Sequence, residues 1–480
     1  MNKKNPLVVI DIVGLTASIL GEHTPNLNAL VQDGFMAPMD GVFPAVTTTA
    51  QASMLTGTSP AQHGIVGNGW YFREQAEVRF WLQSNHLVQG DKVWHKLKQA
   101  NSDFSCSKLF WWYNMYADVD SAITPRPHYP ADGRKIMGLY SEPAQLQDTI
   151  EKQIGTFPFF NFWGPAADIR SSHWIVDCAI AEFKLNRPDL QFVYLPHLDY
   201  NMQRLGPNDP AINQDIRDID HEAGRLIDFA RSQGAEIMVV SEYGITAVQQ
   251  SVSLNRVLRQ AGLLQVRESV SWELLDTGAS RAFAVADHQV AHIYVKNAAD
   301  IGQVKKLLES TPGVERVLDA QAKIDYQINH ARSGELIAIA EPGSWFNYYY
   351  WLDERKAPDF SRTVDIHRKP GYDPVELFID PKIRFPRLKV AKNVAKKKLG
   401  MRMLMDVIPL APELIKGSHG RLAERPEDGP LVISSATIPE LVKQKMDTES
   451  LPMTSVFELI LAHFSLTGSE KNLAEILKMG

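Results

Sequence analysis

Three short apolar runs, each leading straight to an acidic residue, constrain this chain more than any other feature. Leu7-Val8-Val9-Ile10 ends at Asp11, and Gln191-Phe192-Val193-Tyr194-Leu195 leads to His197 and Asp199. Glu236-Ile237-Met238-Val239-Val240-Ser241 ends at Glu242. Runs of this kind lack polar alternation, so both faces of each must be covered; that is the pattern of parallel strands under helices. Between the second and third runs, Ile216, Ile219, Ala223, Leu226, Ile227 and Ala230 share one helical face of residues 213–232. Thr24-Pro25 reads as a helix start, with Thr24 at the N-cap and Pro25 at the first helical position. Recurrent strand, helix, strand predicts an α/β fold: a mostly parallel central sheet flanked by helices. Its carboxylates lie at the carboxyl ends of strands, the edge where open α/β sheets bind ligands.

A chain of 480 residues, 44% hydrophobic and 22% charged, can bury a large core. We expect one α/β domain over 1–440 and a helical tail of two amphipathic helices over 441–480. Within the domain, 69–170 reads as an aromatic-rich insertion, carrying Phe110-Trp111-Trp112-Tyr113 and Phe157-Pro158-Phe159-Phe160. Its aromatics form either a packed cluster or a lid. Residues 278–345 read as a small α+β subdomain. The net charge of −6 argues against a nucleic-acid partner. Two cysteines, Cys106 and Cys178, cannot make a disulfide framework. No stretch approaches the roughly 18 apolar residues of a membrane span, and the run after the N-terminus is too short for a signal peptide. We therefore expect a soluble, cytoplasmic protein without a membrane span. A basic cluster at Arg384, Arg387, Lys389, Lys392, Lys396, Lys397, Lys398 and Arg402 stays open between a solvated face and a contact for an anionic surface. Oligomeric state is not legible.

The most informative stretch runs from Phe43-Pro44-Ala45-Val46-Thr47-Thr48-Thr49 through Thr56-Gly57 to His63-Gly64-Ile65-Val66-Gly67-Asn68. Together with Asp11 it resembles the alkaline phosphatase superfamily. The resemblance is to the nucleotide pyrophosphatase/phosphodiesterase branch, with phosphonoacetate hydrolase as a relative. It implies an alkaline phosphatase-like fold and two divalent cations, zinc in most members, about 4 Å apart, that activate a hydroxyl nucleophile and hold phosphoryl oxygens. It also implies a phospho-threonine intermediate later hydrolysed by water. Carried over by motif, Asp11 matches a metal aspartate, and Thr47 the nucleophile and a metal ligand, with Thr48 the next candidate. Asn68 matches the donor to a phosphoryl oxygen, Asp199 and Glu242 match metal carboxylates, and His419 in Gly417-Ser418-His419-Gly420 matches the C-terminal ligand.

Two positions depart from the family. Gln203 stands four residues after Asp199 where the family has His, and Tyr243 follows Glu242 where the family has His. An amide and a neutral phenol are poorer zinc ligands than imidazole. His197, two residues before Asp199, would share a face with it in an extended strand. His197, His288 and His367 are thus candidates to refill the metal sites. A harder cation, Mg²⁺ or Mn²⁺, would accept the oxygen-rich set instead. The expected function is a metal-dependent phosphohydrolase of the phosphodiesterase or nucleotide pyrophosphatase type, acting on a small phosphoester or nucleotide-like molecule. The other reading is a catalytically silent relative that binds a phosphorylated metabolite or a partner protein.

Overall fold

The apolar runs form the centre of a nine-stranded sheet. The computed structural model describes residues 4–131, 134–435 and 450–464. From one edge the strands are Leu451–Pro452, Phe35–Asp40, Leu431–Ser434, Glu236–Val240, Leu7–Ile12, Leu190–Leu195, Cys106–Leu109, Ser121–Pro125 and Leu139–Glu142. The five from Glu236–Val240 to Ser121–Pro125 are mutually parallel. Leu431–Ser434 and Leu139–Glu142 run antiparallel to their neighbours. Leu7–Ile12 and Leu190–Leu195 are buried at every position, as uninterrupted apolar runs require. Asp11 is in register with Tyr194 on one side and Val240 on the other. The chain beyond Tyr194 and Val240 therefore delivers Asp199 and Glu242 to the same edge as Asp11.

The helix Ile212–Ser232 buries Ile216, Ile219, Ala223, Leu226, Ile227 and Ala230, the face read from the sequence, and packs on Ile169–Asn186. The helix Pro25–Asp33 starts at the expected proline.

The aromatic-rich stretch differs from the expectation of an insertion. Cys106–Leu109, Ser121–Pro125 and Leu139–Glu142 all belong to the main sheet, so this part of 69–170 extends it. Short strands such as Cys-Ser-Lys-Leu carry too little apolar periodicity to be seen in the sequence. Phe110 packs among Phe157, Phe162 and Trp174 at 5.0–6.0 Å, and Trp111 lies in the same core, which favours packing over a lid.

A second sheet is ordered Ala282–Asp287, Val290–Val295, Leu336–Ala340, Val314–Leu318, with the helix Ile301–Glu309 beside it. Of the tail, the helix Ser455–His463 is described; the second expected helix lies outside the described residues. Among those residues, no helix is long and apolar enough to cross a membrane.

Candidate active site

At the carboxyl edge of the sheet lie three carboxylates, and among the described residues no lysine or arginine is a hydrogen-bond partner of any of them. Asp11 and Glu242 have 0% exposure, and the Asp199 side chain 13%. Each gives one oxygen to an amide and keeps the other free. Gln51 Nε2 donates to Asp11 Oδ2 at 3.1 Å and to Glu242 Oε1 at 2.8 Å. Gln203 Nε2 donates to Asp199 Oδ2 at 2.7 Å. Asp11 Oδ1, Glu242 Oε2 and Asp199 Oδ1 have no hydrogen-bond partner. Burial pushes the Asp11 and Asp199 carboxyls up to about 7, and negative charge on Glu242 adds to the rise at Asp199. Glu242 is driven well above the usual carboxylate range by burial and by the charge of Asp11.

The nucleophile candidate sits where a helix begins. Thr47 is the first residue of Thr47–Thr56, which ends at Gly57 in the left-handed conformation (φ 63°). The unpaired N–H groups and dipole of a helix start favour an anion there. Thr47 Oγ1 lies 3.0 Å from the Tyr243 hydroxyl. Thr48 is committed elsewhere: its Oγ1 donates to the Gly67 carbonyl at 2.8 Å, and its N–H to Asn68 Oδ1 at 3.1 Å. Asn68 Nδ2 donates to Asp287 Oδ1 at 3.1 Å, leaving its second amide hydrogen available.

Two histidines complete the centre. His419 Nδ1 donates to the Ala45 carbonyl at 2.8 Å, which turns Nε2 toward Asp199 Oδ1 at 3.9 Å. Its ring stacks on Tyr243 at 3.7 Å and 9°. Gly417 permits this approach, because a Cβ there would fall 2.1 Å from the Met202 carbonyl oxygen of the helix carrying Asp199. His288 occupies the hairpin turn after Ala282–Asp287 (φ 61°) and packs between Tyr372 and His419 at 3.6 Å from each. Its Nδ1 is 2.9 Å from Asp287 Oδ1, and Nε2 has no partner. Burial holds both imidazoles well below their usual pKa, so both are neutral, the form that can bind a cation.

The other two histidine candidates turn to different partners. The chain becomes helical at His197, in His197–Leu205, so His197 and Asp199 lie about 200° apart on a helix and do not share a strand face. His197 Nε2 instead approaches Asp215 Oδ1 at 3.1 Å. Among the described residues, His197, Asp215 and Asp218 are the one group of three His, Cys, Asp or Glu donors within 4.8 Å of one another. His367 Nδ1 lies 3.3 Å from the Phe80 carbonyl oxygen.

Sequence reading missed Gln51, Asp287 and Tyr372. Gln51 follows Thr47 by four residues, so helical spacing alone puts the two on one face. Tyr372 donates to Gln203 Oε1 at 3.0 Å, and the Trp112 N–H donates to Gln51 Oε1 at 2.8 Å, so both amides are oriented with N–H toward carboxylate.

The donor set fits a divalent cation. Buried carboxylates with an oxygen each left over, no cationic partner, a hydroxyl and two neutral imidazoles lack only positive charge. Without a cation, the Gln51 amide bridges Asp11 and Glu242. Gln51→Leu is expected to destabilise the metal-free protein by about 3 kcal/mol, since each buried polar group left unpaired costs about 1–3 kcal/mol. Urea unfolding in EDTA measures this, and a loss under about 1 kcal/mol would show that the amide does not hold the pair.

Comparison with known proteins gives the following. The model of the type I phosphodiesterase / nucleotide pyrophosphatase family matches residues 7–373. An uncharacterized pyrophosphatase/phosphodiesterase of Schizosaccharomyces pombe is 22% identical over 251 residues, which are 50% of this chain and 45% of that protein. The chain thus spans less than half the length of that curated relative. The fold is similar to murine ectonucleotide pyrophosphatase/phosphodiesterase 5, solved as an inactive variant in complex with AMP. That match has a TM-score of 0.59 at 16% identity, over 98% of this chain and 100% of the other. It is also similar to phosphonoacetate hydrolase from Sinorhizobium meliloti in complex with phosphonoformate. There the TM-score is 0.57 at 14% identity, over 97% and 96% of the two chains.

Proposed function

The chain belongs to the type I phosphodiesterase / nucleotide pyrophosphatase family, and on that premise we propose that it is a metal-dependent hydrolase of small phosphodiesters or nucleotide-like pyrophosphates. The observation that carries this reading is that Asp11, Glu242 and Asp199, at one edge of the sheet, each keep a buried oxygen without a partner, near a helix start whose Thr47 hydroxyl meets Tyr243, the residue after Glu242. Asp11, Glu242 and Thr47 form an all-oxygen half of the centre. Asp199 and His419, with His288 packed on His419, form a half with nitrogen donors. A divalent cation held by these groups supplies positive charge that polarises a phosphoryl oxygen and makes a hydroxyl more acidic.

The chain's own residues do the rest. Thr47 Oγ1 forms a bond to phosphorus while the bond to the leaving oxygen breaks. The proton of the Thr47 hydroxyl passes to Glu242, which keeps one carboxylate oxygen unpaired. The free amide hydrogen of Asn68 faces charge that grows on a phosphoryl oxygen, a donor worth most when it is fixed in advance. Water then cleaves the Thr47–phosphate ester and restores the hydroxyl. The all-oxygen half favours Mg²⁺ or Mn²⁺, and the half with imidazole suits Zn²⁺.

One observation favours the second reading, a silent phosphate-binding relative: Gln203 and Gln51 already donate to the carboxylates, and Tyr243 stands where imidazole would bind. Elemental analysis after dialysis against Zn²⁺ or Mn²⁺, with hydrolysis of bis(p-nitrophenyl) phosphate, separates the two. We expect up to two bound ions per chain and turnover abolished by EDTA. Bound metal without turnover supports the silent reading, and no bound metal removes the basis of the catalytic one. Tyr243→His is expected to raise zinc affinity; unchanged affinity would show that the phenol is not what weakens that half.

A further inference from the structure

The basic cluster forms one helix, Pro386–Lys398, and its outward face is not only basic. Its inner face is fixed to the protein. Val390 packs against the cluster of Val375, Val407 and Ile408, Lys389 Nζ donates to the Asp406 carbonyl at 2.6 Å, and Asn393 Nδ2 donates to the Leu404 carbonyl at 3.0 Å. The opposite face carries Leu388, Ala391, Ala395 and Leu399, spaced three or four residues apart and so aligned as a stripe. Leu388 is 68% exposed, Leu399 76%, and Phe385, just before the helix, 61%. Met401 and Leu404 follow at 56% and 46%. Basic residues Arg384, Arg387, Lys392, Lys396, Lys398 and Arg402 flank this stripe, and no acidic residue occurs from 384 to 405.

A merely solvated face does not account for this composition. Like charges three or four residues apart weaken a helix, and the chain as a whole is acidic at −6, so the helix concentrates positive charge against the trend of the molecule. Large apolar side chains clustered in water gain nothing unless something covers them. A nucleic acid would neutralise the lysines and leave the leucines wet, because its contacts fall mostly on phosphates. An anionic bilayer meets both requirements. The leucines and Phe385 enter the boundary between headgroups and acyl chains, while the lysine stems lie along it with their ammonium groups among lipid phosphates. Attraction of basic residues to anionic lipid supplies the second of the two signals that stable surface binding needs.

We propose that the outer face of the Pro386–Lys398 helix docks this protein on anionic lipid membranes as a peripheral, non-spanning contact. The proposal is independent of the chemistry at Thr47.

The test is sedimentation of the 480-residue protein with vesicles of phosphatidylcholine alone or with 40% phosphatidylglycerol, at about 100 mM salt, where surface charges remain only partly screened. We expect at least tenfold tighter binding to the anionic vesicles. Leu388→Asp/Leu399→Asp should lose tenfold or more, and Lys392→Glu/Lys396→Glu/Lys398→Glu should lose as much. Each exchange is at an exposed or half-exposed position, and circular dichroism checks the fold. A second arm measures single-stranded RNA at the same salt. No binding to anionic vesicles would overturn the proposal. So would vesicle binding unaffected by the two leucine exchanges, or RNA binding in preference to vesicles.

Discussion

Thr47→Ala should abolish hydrolysis of bis(p-nitrophenyl) phosphate, lowering kcat/KM by roughly three orders of magnitude or more while the protein stays folded. Losses of that size are what deletion of a covalent nucleophile produces. The local structure explains why Thr47 is the residue to change. It opens the Thr47–Thr56 helix, so its hydroxyl lies at the positive end of the helix and 3.0 Å from the Tyr243 phenol. The neighbouring Thr48 hydroxyl is bound to the Gly67 carbonyl at 2.8 Å and would have to break that bond to attack. Two comparisons make the result interpretable. Tyr243→Phe removes the partner of Thr47 but not the nucleophile, and is expected to cost less than tenfold. Thr48→Ala should leave most activity. Loss with Thr48→Ala and retention with Thr47→Ala would move the nucleophile by one position, and full activity in both would reject a threonine intermediate.

The strands that carry carboxylates were legible because burial on both faces leaves an unmistakable apolar run, as in Leu7–Ile12 and Leu190–Leu195. The strands at 106–142 were not, since short segments such as Cys-Ser-Lys-Leu look like loop until the sheet pairs them. Asp11, Thr47, Asn68, Asp199, Glu242, His288 and His419 lie in six separate parts of the chain, and motif resemblance pointed to most of them. His197 shows the limit of that reading. Strand periodicity put it beside Asp199, but the helix begins at His197 itself and carries it to Asp215. Gln51 was passed over for a different reason: its spacing from Thr47 was readable, but an amide has no role in the motif, and the fold alone sets it between two carboxylates. The substituted positions 203 and 243 are legible as departures, while their consequence depends on Tyr372, which orients Gln203, and His419, which stacks on Tyr243.

The stability of the metal-free protein should fall as pH rises through 7, and Asp199→Asn should remove the part of that fall that this carboxyl contributes. Burial raises the Asp199 carboxyl from 3.8 to about 7, so the folded state holds this proton more tightly than the unfolded chain. A group of this kind contributes its full stabilisation below about pH 4 and loses it as pH climbs to about 7, a swing of at most about 4 kcal/mol for this one residue. Asp11, raised to about 7 by the same burial, acts in the same direction. His288 and His419 act oppositely: their pKa values are depressed by burial, so they stabilise above about pH 6.5 and lose that contribution in acid. The two slopes offset each other between pH 4 and 6.5, which is why the raw curve is less telling than a difference. Subtracting Asp199→Asn from the unsubstituted protein, both in EDTA, should leave a gap that grows against the unsubstituted protein from pH 4.5 to 8. Parallel curves would mean that Asp199 titrates normally in the folded state. Adding Mn²⁺ at a hundredfold excess over its Kd at pH 8 should restore about 2.7 kcal/mol in the unsubstituted protein. The same addition at pH 5 should restore much less, because protons and the cation compete for the same carboxylate oxygens.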